Sequence, residues 1–288
     1  MPLILNEEQQ MLQDAANGFL IEKAPVSAFR GVRDGKPADG FRRELWTEMA
    51  QMGWAGIIVE EAHGGSGFGY VGAGVLAEQM GRNLTASPFF STSVLGATAI
   101  QQYGTKKQKE ENLAAISSGE KLFALAVDEG PRHNPSRITF SAKPAGNGFV
   151  LSGTKTFVAD GHVADKLIIA ARTSGEDGDE NGITLFLVDA DAPEITRDQT
   201  PMVDSRNAAD ISVDGLEVTG DDILGELHGG FAALEGILSA GRAVLSAEMS
   251  GSAQQVFGVT TDYLKEREQF GQKIGSFQGL QHRAAHLA

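Results

Sequence analysis

Cysteine is absent from all 288 residues, which rules out disulfides, thiolate metal sites and a cysteine nucleophile. Positive charge is scarce: 24 Lys and Arg against 38 Asp and Glu leave a net charge of -14. Nucleic acid is therefore not expected as a partner, because a phosphate backbone needs clustered basic side chains. A phosphorylated small ligand stays allowed, since a few local donors or helix N-termini suffice for it. There is no apolar run long enough for a membrane span. The opening Met-Pro-Leu-Ile-Leu-Asn is too short and lacks the basic flank of a signal peptide, so a cytoplasmic protein with no membrane partner is expected. No G-x-S-x-G elbow occurs, which disfavours a serine hydrolase. His282 and His286 share a helix face, but Arg283 follows the first and no third ligand is evident, so they read as a packed or solvated pair and not as a metal site.

What is present is an ordinary globular composition, 41% hydrophobic and 22% charged, in a chain long enough for roughly two domains. Asn6 with Gln9 three residues on forms a capping box for a first helix to about Glu22. Phe41, Leu45, Met49 and Met52 mark a second, ending at Gly53. Trp54 to Tyr70 is an apolar run feeding a glycine-rich loop. Counted from Gly65 it lacks the last glycine of G-x-G-x-x-G, and it has no G-K-[ST], so a dinucleotide fold is set aside. Helical patterns continue at Val71 to Met80, Pro88 to Gln102 and Thr105 to Ser117.

At Lys121 the period shortens. Seven strand-like runs follow: Leu122 to Val127, Ile138 to Ala142, Phe149 to Ser152, Lys155 to Val158, Leu167 to Ala171, Ile183 to Val188 and Ile211 to Val218. Without helices between them they suggest a small barrel or sandwich. From Gly229 a helical stripe runs for roughly forty residues, or about 60 Å. Only Ser276 to Ala288 is left to pack on it, so partner helices are expected from other subunits, the first domain or a downstream segment. The expected fold is thus α+β: an N-terminal helical domain (1–120), a middle β domain (121–222) and an incomplete C-terminal bundle of long helices (223–288).

The stretch 263–281 breaks this helical pattern at Gly271 and restarts it near Ser276, leaving Arg267, Gln269, Phe270 and Gln278 at helix ends, where side chains and backbone are free to meet a ligand. Its Arg-Glu-Gln-Phe-Gly-Gln-Lys-Ile-Gly-Ser-Phe-Gln, with the Gly53-Trp-Ala-Gly loop, Tyr103-Gly-Thr, Gly153-Thr-Lys before Asp160-Gly, and Gly229-Gly-Phe with Arg242, resembles the acyl-CoA dehydrogenase family of flavoenzymes. The resemblance covers essentially the whole chain. It suggests a divergent member lacking the C-terminal helices, since members normally continue past the equivalent of Ala288.

The chemistry implied by the resemblance is FAD-dependent α,β-dehydrogenation of an acyl-CoA thioester. A carboxylate removes the α-proton and flavin N5 takes hydride from the β-carbon. Leu125, Val127 and Asp128 occupy the segment that in the family contacts the flavin, and Phe157, Val158 and Ala159 match the triplet packed on it. Arg267, Gln269, Phe270 and Gln278 match the element that binds the adenosine diphosphate half of FAD, reaching into a neighbouring subunit. Asn134 and Arg242 are the positions implied on the acyl-CoA side. Electron-transfer flavoprotein or a similar acceptor, and a homo-oligomer or a hetero-oligomer with a homologous subunit, are the implied partners.

The chain departs from the family at three places. Ala159 stands where a hydroxyl residue is usual, and Asp128-Glu-Gly-Pro-Arg-His-Asn-Pro replaces Thr-Glu-Pro-x-x-Gly-Ser-Asp. Gly241 stands where one branch of the family places its catalytic glutamate. Glu248 is about 10 Å further along the helix, and no catalytic base is assigned. Two further readings stay open: a catalytically silent subunit of a mixed dehydrogenase assembly, and a sister flavin oxidase or monooxygenase on the same fold.

Overall fold

The computed structural model describes residues 4–200, 202–204 and 206–288; the first three residues of the opening segment, Met1 to Leu3, lie outside this range. Local capping signals give the first half its helices. In α1 (Glu7–Lys23), Asn6 Oδ1 accepts the Gln9 N–H and the Gln9 side chain accepts the Asn6 N–H. Then come α2 (Val26–Gly35), α3 (Arg43–Gln51) and α4 (Gly69–Asn83). The pattern from Pro88 to Gln102 divides into a π-helical segment, Phe89–Gly96, and α5 (Ala97–Tyr103). In α6 (Lys106–Ser117), Thr105 and Gln108 form a second capping box.

The glycine loop does carry a full G-x-G-x-x-G one register on, at Gly67, Gly69 and Gly72. Its context excludes the dinucleotide fold all the same, because Trp54 to Val59 is turn and bend where that fold needs a strand, and α4 begins inside the motif. Trp54 instead fills the helical core, edge-on to Phe19 at 5.1 Å.

The middle region is one eight-stranded sheet, which corrects the expected barrel or sandwich. Its strands are β1 (Phe123–Ala126), β2 (Ser141–Ala145), β3 (Gly148–Ala159), β4 (Lys166–Arg172), β5 (Ile183–Asp189), β6 (Ile195–Thr200), β7 (Ala208–Thr219) and β8 (Ile223–Leu224). They run in the order β6-β7-β3-β2-β4-β5-β8, with β1 parallel to β4. A barrel closes only when its first and last strands pair. Here β6 is an edge strand with no buried residue and β8 is only two residues long, and they are not neighbours in the sheet. The two strands expected at Phe149 to Ser152 and Lys155 to Val158 are one, β3, with register shifts after Leu151 and Lys155.

Helix α7 (Gly230–Glu266) runs 37 residues without a break, about 55 Å. A two-stranded hairpin, β9 (Glu268–Gln269) with β10 (Gln272–Lys273), then leads to α8 (Gln278–Leu287). The expectation of an incomplete C-terminal bundle is corrected: the region is a helical unit in which α8 and the turn before it fold back on the end of α7.

Helices α4 and α7 cross where glycine removes the side chain from both. A Cβ on Gly251 would lie 1.9 Å from the Glu78 carbonyl oxygen, and one on Gly81 would lie 2.0 Å from that of Glu248. Ser252 Oγ closes the crossing by donating to the Gly81 carbonyl at 2.9 Å. Gly251→Val should force the helices apart and cost about 1–3 kcal/mol, seen as a lowered urea midpoint. A midpoint equal to the wild type's would show that the crossing is not close-packed.

Candidate active site

The site begins at the second irregularity of β3. Lys155 pairs with Ile211 and Val158 with Ala209, so one extra residue is squeezed into β3 and the strand bulges. Phe157 sits in that bulge at φ +60°, with its ring 59% exposed and its N–H donating to Asp210 Oδ1 at 3.3 Å. A bulky residue in the left-handed region costs about 1–3 kcal/mol. The fold spends that energy to hold a flat apolar face in the open, which suits an aromatic ligand. Val158, next along, is buried and Ala159 half-buried.

The loop leaving β1 is fastened to this bulge from below. The Thr156 N–H donates to the Asp128 carbonyl at 2.7 Å, and Lys155 Nζ donates to the Val127 carbonyl at 2.9 Å. Leu125 and Val127 are buried in the same segment. Lys155 is itself fully buried, and its Nζ also donates to Glu129 Oε1 at 2.7 Å while lying 5.2 Å from the Phe140 ring centroid. Glu129 further accepts the Thr139 N–H and Oγ1–H at 2.8 and 2.5 Å and the Phe140 N–H at 3.1 Å. Burial pushes the Lys155 ammonium down to about 8, with the Glu129 charge opposing. Burial would raise Glu129, but the Lys155 charge and the converging donors hold it below the usual carboxylate range.

Above the loop, His133 Nδ1 stands 2.9 and 3.1 Å from the two oxygens of Asp128, whose Oδ1 also accepts the Asn134 N–H at 3.1 Å. Asn134 is exposed and its Oδ1 accepts from Ser136 Oγ at 3.0 Å.

At the far end of β3, Asp160 is buried and accepts from Ser91 Oγ of the π-helical segment at 2.6 Å. Burial pushes its carboxyl up to about 6, against the hydrogen bonds from Ser91 and Asn207 and the nearby Arg206 charge. Arg206 in turn forms an ion pair with Glu248 of α7. The carboxylate considered in place of the missing base is therefore already neutralised.

Gly241 is buried, and a Cβ there would meet Leu95 Cδ2 at 2.7 Å and Phe90 Cζ at 3.5 Å. The space of a side chain at this position is occupied by the π-helical segment. Arg242 is exposed and pairs with Glu235 at 3.0 Å.

The remaining predicted residues cluster at the α7–α8 turn. Phe270 and Gly271, at φ +55° and +76°, make the two-residue turn between β9 and β10. Phe270 is thereby thrust out, 91% exposed, with the Phe277 ring edge-on at 6.2 Å. Arg267, Gln269 and Gln278 are exposed around it. The structure thus forms two groups, one at Phe157 and one at Phe270, and among the described residues no side-chain hydrogen bond or ion pair joins them. Sequence reasoning did not single out Glu129, Lys155 or His133. Lys155 could have been found as a lysine at an inward position of an alternating strand; Glu129, 26 residues upstream of it, leaves no local signal.

Three family models match consecutive stretches of the chain: the acyl-CoA dehydrogenase N-terminal domain at residues 6–120, the middle domain at 129–215 and the C-terminal domain at 228–288. The 3-(aryl)acrylate reductase of Clostridium sporogenes is 31% identical over 86% of this chain and 67% of its own length. The mitochondrial isovaleryl-CoA dehydrogenase of Pongo abelii is 31% identical over 98% of this chain and 68% of its own length. Among solved structures, the steroid ACAD named Tcur3481-Tcur3483 superposes with a TM-score of 0.85 at 33% identity, covering 97% of this chain and 72% of that one. The chain belongs to the acyl-CoA dehydrogenase family. It spans about two thirds of the length of these curated relatives. The match over 228–288, folded as α7 and α8, overturns the expectation of a member lacking its C-terminal helices.

Two stability measurements check the site's energetics. Lys155→Met leaves Glu129 without its counter-charge and should cost about 3–5 kcal/mol in urea unfolding at neutral pH; a loss under 1 kcal/mol would mean the carboxylate is sustained by its other donors alone. Asp160 has its folded value above the unfolded one, so the stability it contributes is complete below about pH 4 and is lost as pH rises through about 6. Asp160→Asn removes that loss. Its stability relative to wild type should rise by on the order of 2–3 kcal/mol between pH 4 and 7, and a pH-independent difference would contradict the assignment.

Proposed function

We propose that this chain is a cytoplasmic, FAD-dependent enzyme that dehydrogenates an acyl-CoA thioester between its α and β carbons. The observation that carries the reading is Phe157, an exposed ring held on a strained backbone at a strand bulge, at the position the resemblance gives to the flavin. The chain's residues fit the cofactor at both ends. Leu125, Val127, Asp128, Phe157, Val158 and Ala159 would hold the isoalloxazine end. Arg267, Gln269, Phe270 and Gln278 would hold the adenosine diphosphate end, the Arg267 guanidinium being suited to a pyrophosphate. Bound FAD supplies the hydride acceptor.

The protein's own task is to bind, to orient and to polarise the thioester carbonyl, because an α-proton is too weakly acidic for an unassisted carboxylate. With alanine at 159 only a backbone N–H is available there. Asn134 faces the acyl-CoA side in this reading. Arg242, paired with Glu235, would act there only by exchanging partners. The proposed redox partner is electron-transfer flavoprotein or a similar acceptor. An oligomer is supported by the exposed apolar side chains on the distal half of α7, Met249, Val256, Val259 and Tyr263.

A second reading is favoured by Gly241 and Ala159: a silent subunit of a mixed dehydrogenase, lending the Arg267 element to FAD held mainly by a homologous chain. Anaerobic titration separates the two. The first predicts a yellow protein whose flavin bands bleach with one of a panel of straight, branched, aryl and steroid acyl-CoA thioesters; the reverse direction, from the unsaturated thioester, belongs in the panel because one relative is a reductase. The second predicts a colourless protein that becomes yellow on co-purification with an active homologue. Oxidised flavin that keeps its colour with every saturated thioester, together with dithionite-reduced flavin that stays bleached with every unsaturated one, would sink the dehydrogenase reading.

A further inference from the structure

Where the family pattern has threonine, this chain has Asp128, and where the pattern is small it has His133. The structure brings the two into contact. The carboxylate accepts only, so the proton on His133 Nδ1 lies in the bond to Asp128, and Nε2 is left free on a half-exposed ring. The Asp128 side chain is only 22% exposed, and its backbone carbonyl is tied to Thr156, the residue before Phe157. The pair therefore stands at the edge of the platform proposed for the flavin. The other charged groups around it are Glu129 and Arg132 on its own loop, Lys155 of β3 and Asp210 of β7 under Phe157. Lys155 is already committed to Glu129. Arg132 is exposed to water, which leaves the His133 imidazole as the partner within bonding distance of Asp128.

We propose that Asp128 and His133 form a charge-compensated pair that sets the reduction potential of the bound flavin and couples its reduction to proton uptake at His133 Nε2. The inference rests on the FAD reading above. Two electrons from the acyl-CoA or from dithionite add negative charge at the flavin. A bare carboxylate beside it opposes that charge, and an imidazolium bonded to the carboxylate cancels the opposition. A hydride from the acyl-CoA, or two electrons from dithionite with one proton from solvent, leaves one negative charge; a second solvent proton taken up at the free ring nitrogen offsets it and is released to solvent on reoxidation.

The test is spectroelectrochemical titration of the holoprotein against reference dyes from about pH 6 to about pH 8.5, with FAD affinity measured in parallel. His133→Gln removes the group that takes up the proton, so it should make the potential more negative at the acid end of the range and converge on wild type at the alkaline end. Asp128→Asn removes the opposing carboxylate and should have the opposite sign, lying above wild type across the range. His133→Gln should show a shallower slope against pH than wild type. His133 lies on an exposed loop, so its variant is expected to fold, and Asp128→Asn gives an independent arm with the opposite sign. Equal potentials and slopes in wild type and His133→Gln, with FAD bound to both, would overturn the inference while leaving the FAD reading intact. A wild type that binds no FAD, alone or with a homologue, would overturn both.

Discussion

One buried ammonium group organises the candidate site. Lys155 Nζ ties the end of β1 to β3 through the Val127 carbonyl and the Glu129 carboxylate, and its side chain is fully buried. An unpaired charge there would be far costlier than the strain it accompanies. Because the lysine fixes the strand one turn of the pleat before Phe157, the bulge cannot relax by sliding β3 along β7. The exposed ring is thus a consequence of the buried ion pair, and the loop carrying Asp128 and His133 is set by the same contact.

The two sides of the expected chemistry are unevenly provided. On the proposed cofactor side stand strained Phe157 with buried Leu125 and Val127 and, as a separate group, the Phe270 turn beside Arg267. On the proton-abstracting side, Gly241 leaves room that Leu95 and Phe90 fill, and Glu248 is bound to Arg206. A protein can hold a redox group without holding the base that works with it, because the two depend on different elements, β3 here and α7 there.

Local physics was legible in the sequence, and long-range pairing was not. The capping boxes at Asn6 and Thr105 and the uninterrupted stripe of α7 could be read because each signal lies within a few residues. Helix α2 carries Val26, Phe29 and Val32 at three-residue steps, but over ten residues the stripe is too short to stand out, and β6 is a polar edge strand without an apolar alternation. Strand β3 reads as two in the sequence because Gly153 interrupts its alternation, and the second irregularity, at Phe157, leaves no sequence signal. The open sheet order depends on pairings such as Phe123 with Lys166, which no local pattern encodes. At the site, Phe157 is pointed to only by the family resemblance, whereas the Arg267 element is also marked by the break in the helical pattern at Gly271. Asp160 lies in the turn that ends β3, and the burial of its carboxyl against Ser91, 69 residues away, leaves no local signal.

The glycine crossing of α4 and α7 has a mechanical meaning. With the Glu78 and Glu248 carbonyls lying where side chains would otherwise cushion the contact, the helices bear on each other backbone to backbone, as a fulcrum. Sixteen residues of rigid helix separate Gly251 from Arg267, an arm of about 24 Å. A tilt of about 5° at the crossing carries the Arg267 end through roughly 2 Å at that helical rise, the difference between a guanidinium within hydrogen-bonding range of a fixed acceptor and one outside it.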